Sequence, residues 1–100
     1  MKEEDVERAV VEFDNNAAKI YSEVFAKFNS SIGKIRRDNE ENVFKMQLSK
    51  YTYTLRNELD KEVRNLLNSS HPKIHKNLET VLSSKIEYYL QEFRRKCNAL

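Results

Sequence analysis

Apolar positions recur along this chain every three or four residues, in three separate stretches. The clearest runs from Val43 to Leu67. Phe44, Leu48, Tyr51, Leu55, Leu59, Val63 and Leu66 fall there in steps of 4, 3, 4, 4, 4 and 3. Side chains three and four apart share a face of an α-helix, so all seven lie on one stripe. Lys45, Lys50, Arg56, Asp60, Lys61 and Arg64 mostly lie off it. Residues 3–28 repeat the pattern: Val6, Val10, Phe13, Ala17, Ile20 and Val24 step 4, 3, 4, 3, 4, a heptad, and Phe28 follows four later. Residues 73–97 carry a third stripe, Ile74, Leu78, Leu82, Ile86, Tyr89, Phe93 and Cys97, in steps of 4, 4, 4, 3, 4 and 4. Its many fours drift from a left-handed heptad and suit packing inside a bundle.

Two breaks divide these stretches. Asn68-Ser69-Ser70-His71-Pro72 ends the second, because Pro cannot continue a helix interior; Ser70 is the expected cap of the next helix, with Pro72 in its first turn. Between Asn29 and Asn42 the signal is weaker: Asn29-Ser30-Ser31-Ile32-Gly33 reads as a helix end, and the polar run Arg36–Asn42 interrupts the seam. Asp38 with Glu41 could form a capping box. Without a break, residues 3–68 would be one helix about 98 Å long, with Asn42 at a core-like position seven after Ile35. The expected segments are therefore about 3–28, 34–68 and 73–97 of one helical domain spanning 1–100.

Composition sharpens this reading. One Gly and one Pro in 100 residues argue for long uninterrupted helices, and the absence of Trp and the few β-branched runs argue against a sheet. The predicted fold is all-α: long amphipathic helices forming a coiled coil or helical bundle. The heptad of residues 6–24 favours closure by self-association, as an antiparallel dimer or tetramer. The competing arrangement is one chain folding back through its two breaks into a three-helix bundle. The acidic start, with Lys2 and Arg8 against Glu3, Glu4, Asp5, Glu7, Glu12 and Asp14, and the basic Arg94-Arg95-Lys96 favour antiparallel pairing. Five acid-to-base pairs at four-residue spacing, Glu4–Arg8, Glu23–Lys27, Glu41–Lys45, Asp60–Arg64 and Glu92–Lys96, fit solvated helix faces.

Charge and chemistry narrow the function. A net charge of +2 is too balanced to demand nucleic acid. There is no Gly-rich phosphate loop, no paired cysteine and no nucleophile motif, so no enzyme, cofactor or metal is expected. His71, His75 and Glu79 are spaced four apart, but His71 falls at the proline break, and two exposed histidines are the simpler reading. Cys97 is expected to be a free, docked thiol. Tyr21, Tyr53 and Tyr88 are expected at edges or outside. The acidic N-terminus is unlike a signal peptide, no stretch is apolar enough to span a membrane, and a cytoplasmic or nuclear setting is expected.

The function expected is a non-catalytic assembly module that mediates homo-oligomerisation or binds a helical protein partner in a scaffold. Its expected interface and core residues are Val6, Val10, Phe13, Ile20, Val24, Phe28, Leu48, Leu55, Leu59, Val63 and Leu66. The alternative is a nucleic-acid-binding bundle using the basic patches at 34–37 and 94–96, namely Arg36, Arg37, Arg94, Arg95 and Lys96.

Overall fold

The computed structural model describes residues 2–33 and 40–100. Three helices fill nearly all of them: α1 (Lys2–Ser31), α2 (Glu41–Asn68) and α3 (His75–Asn98), the last entered through a single 3₁₀ turn at Pro72–Ile74. Among the described residues there is no strand. The helices run up, down and up in a rod of 55 × 19 × 18 Å. Each packs on both others, so the three stripes meet inside one chain. Phe13, Ala17, Val24, Phe28, Phe44, Leu55, Leu59, Val63, Leu66, Leu78, Leu82, Ile86, Phe93 and Cys97 form one buried core. Val6, Val10, Ile20, Leu48 and Tyr51 are partly buried against it. The residues that the pattern assigned to pairing with a copy thus pack against their own chain, and any assembly would use other side chains.

Phe28 is the aromatic hub of one end. Its ring meets Phe44 at 5.7 Å, Tyr51 at 5.9 Å and Phe93 at 6.1 Å, so one residue of α1 touches both other helices. Towards the middle, polar pairs set the register. Asp14 accepts from Tyr89 Oη at 2.9 Å and Lys85 Nζ at 3.1 Å, joining α1 to α3. Asn16 donates to Glu62 at 2.6 Å, joining α1 to α2.

The structure departs from the sequence reading in four places, three of them at helix ends. First, α1 continues through Asn29 and Ser30 to Ser31, whose hydroxyl donates to the Phe28 carbonyl at 2.8 Å. Second, α2 starts at Glu41; its cap residue Glu40 makes no side-chain capping bond. Asp38 of the proposed capping box lies outside the described residues. The single long helix is ruled out, because α1 ends in a turn at Ile32-Gly33 and Phe28 packs on Phe44; Asn42 is exposed. Third, the cap before Pro72 is His71, whose Nδ1 accepts from the Lys73 amide at 3.1 Å. Ser70 instead donates back to the Leu66 carbonyl at 2.6 Å. Fourth, none of the four acid–base pairs with both side chains described forms. Glu92 is held by Arg95 one residue nearer, at 2.7 Å, and Glu58 by Lys61 at 3.2 Å. Three-residue spacing brings side chains about as close as four.

Candidate interaction surface

With the core closed, the outside of the rod is what other molecules meet. The face of α2 opposite its stripe is partly apolar. Val43 is 42% exposed, Met46 71% and Tyr53 66%. With exposed Lys50 they step 3, 4 and 3, a second stripe about 180° from the first at roughly 100° per residue. Exposed Met and Tyr on one helix face are the residue types enriched at protein interfaces. Tyr88 stands outside α3, while Tyr21 is half-buried, its ring edge-on to Phe93 at 5.8 Å.

Beside this strip, between α2 and α3 and across the bundle from α1, runs an open groove of about 520 Å³. Lys45, Leu48, Ser49, Thr52, Tyr53 and Arg56 of α2 and Arg94 of α3 line it. The Thr52 hydroxyl turns inward, donating to the Leu48 carbonyl at 2.6 Å. Arg56 pairs across the groove with Glu87 at 2.9 Å, both groups being well exposed. Lys45 and Arg94 are exposed and hold no acid among the described residues.

The basic triplet proposed as one nucleic-acid patch is divided among three directions. Consecutive helical residues point about 100° apart. Arg94 faces the groove on α2. Arg95 holds Glu92 through both Nε and a terminal nitrogen, at 3.1 and 2.7 Å. Lys96 lies over the Phe25 ring at 4.4 Å and the Tyr21 ring at 5.8 Å, on the α1 side. Arg36 and Arg37 lie outside the described residues. The structure therefore gathers Arg94 with Lys45 and Arg56, from a different helix, rather than with its neighbours in sequence. Neither Lys45 nor Arg56 stood out in sequence. The 3-4-3 spacing of Val43, Met46, Lys50 and Tyr53 is the sequence signal by which this face could have been found.

The groups that carry chemistry elsewhere are tied into the fold here. Cys97 is fully buried, and burial pushes its thiol up to about 12. Tyr89 is likewise pushed up to about 12, by burial and then by its hydrogen bond to Asp14. His75 donates from Nε2 to the Ser70 carbonyl at 3.1 Å, and His71 caps the 3₁₀ turn. Among the described residues no three His, Cys, Asp or Glu side chains converge as metal ligands would. No described helix is long and apolar enough to cross a membrane. Compared with protein-family models, curated proteins and solved structures, the chain matches none.

Proposed function

We propose that this chain is a non-catalytic helical-bundle interaction module. It docks a protein partner, or another copy of itself, on the outer face of α2. One observation carries the reading: the core is closed within the chain, yet Val43, Met46 and Tyr53 remain exposed in line on the helix face opposite that core. A helix whose outside serves only water has no need of such a strip, and burying it against another protein would favour association. Cys97, Tyr21 and Tyr89, whose pKa values are raised first of all by burial, are packed into the fold and do not face an open cleft, which agrees with a binding role.

The reading is tested by placing a photo-crosslinking residue at Met46, and for comparison at the exposed Ala18 of α1, in cells that express the chain. Adducts from position 46 and none from position 18 are expected; their mass tells a copy from another protein. An absence of adducts at position 46 would reject the α2 face as a contact.

A further inference from the structure

We propose that the groove between α2 and α3 binds an acidic peptide segment bearing apolar side chains, contributed by a partner protein. Lys45, Arg56 and Arg94 would take its carboxylates, and Leu48 and Tyr53 its apolar groups. The inference rests on the interaction-module reading and names the partner's chemistry.

Charge comes first. Three cations from two helices converge on one groove, and two of them, Lys45 and Arg94, hold no acid among the described residues. The third, Arg56, holds Glu87 at 2.9 Å in a pair whose side chains are 41% and 63% exposed. A water-exposed pair of that kind contributes little to stability, so an incoming carboxylate can replace Glu87 at little cost. The lining then supplies what a purely ionic site would lack. Leu48 is half-buried beneath the groove, Tyr53 offers a largely exposed ring, and Ser49 adds an exposed side chain. Met46 and Val43 continue the apolar surface on the adjoining face of α2. Alternating cations and apolar side chains complement a segment that alternates acids and apolar residues.

Two other occupants fit less well. A nucleic-acid strand presents a phosphate at every nucleotide and needs an extended run of cations. Here the cations stop at Glu87 on one side, and Glu41 lies one turn before Lys45 on the other. Arg95 and Lys96 are engaged elsewhere, on Glu92 and on aromatic rings. A second copy could offer the start of α1, where Asp5, Glu7 and Glu12 are exposed. But Arg8 interrupts them, and Val11 is the one large hydrophobic there that stands well exposed. That face also lies across the bundle from the groove, so such a contact would run head to tail without closing into a dimer.

The experiment is fluorescence anisotropy on the full chain, with a labelled peptide of repeated Glu-Glu-Leu as probe. Controls are the Gln-Gln-Leu peptide and a labelled oligothymidylate of matched charge. Saturable binding of the acidic peptide is expected, weakened at least about tenfold in the Lys45→Glu, Arg94→Glu double variant. The Lys19→Glu, Lys76→Glu variant, reversed at exposed sites outside the groove, should bind like the parent. Circular dichroism of both variants keeps the comparison between folded proteins. Absent binding, equal binding of the Gln-Gln-Leu peptide, or indifference to the groove reversal would overturn the proposal. Tighter binding of the oligonucleotide would overturn it in favour of nucleic acid. A particle mass that falls on groove reversal would overturn it in favour of a copy. Crosslinks at position 46 without peptide binding would reject the groove alone and leave the α2 face as the contact.

Discussion

Cys97 and Tyr89 show how burial decides what a reactive group can do. Cys97 follows Phe93 by four on the third stripe, and that spacing alone places it inside. The thiolate is the nucleophile, so a thiol pushed up to about 12 is inert at neutral pH. Labelling of native protein should be limited by opening of the last turn of α3, far slower than in urea; labelling at the unfolded rate would show that this turn does not dock. Alkali should act through the same groups. Both fold-state values are raised, Cys97 from 9.0 and Tyr89 from 10.0, each to about 12. The stability they contribute is therefore fully present below their unfolded values and is lost as pH rises towards 12. The urea midpoint should stay level from neutral pH to about 9 and fall beyond it. An absorbance titration should show Tyr21 and Tyr89 ionising above the ordinary tyrosine value, Tyr89 towards about 12. A titration in which no phenol ionises late would mean that Tyr89 is not buried against Asp14 in solution.

The helices were largely legible from spacing, because steps of three and four have one simple physical reading. Leu59, flanked at four by Leu55 and Val63, and Phe13, inside a heptad, both prove fully buried. Other features were hidden for stated reasons. The capping role of His71 depends on a ring nitrogen meeting a backbone amide two residues on, which composition does not reveal. The Arg56–Glu87 pair joins residues 31 apart, and nothing local announces it. The divergence of Arg94, Arg95 and Lys96, by contrast, follows from helix geometry alone, and a triplet in sequence is no patch on a helix. These distinctions predict unequal costs along α1 and α2. Phe28→Ala should cost about 3–5 kcal/mol and Leu59→Ala about 2–5, since each leaves a hole among well-packed neighbours. Met46→Ala should stay within about 0.5 kcal/mol of the parent, because it removes no core contact. Urea melts give all three, and a Met46 effect as large as that of Leu59 would mean that the outer strip is structural.

At the scale of the molecule, the question is whether one chain closes the stripes in solution as it does in the structure. Phe13→Glu separates the two arrangements. Phe13 is fully buried, and its ring meets that of Tyr89 of the same chain at 6.2 Å. If the stripe of α1 instead paired between copies, a glutamate there would dissociate the assembly. Helices would survive in part, and the particle mass would fall. In the closed bundle the same glutamate would have to enter an apolar core against the Tyr89 ring, where the neighbouring cation, Lys85, already holds Asp14. Burying an unpaired carboxylate costs several kcal/mol, a large share of the stability of a domain this size. The expected outcome is loss of helical signal and of cooperative melting at every protein concentration. Circular dichroism and light scattering over a concentration range read both quantities on one sample. The parent should be strongly helical, and any mass above the chain's 11.9 kDa should respond to Met46→Glu while leaving the helical signal intact. A Phe13→Glu protein that stays helical while its mass drops would place that stripe between copies and undo the single-chain core.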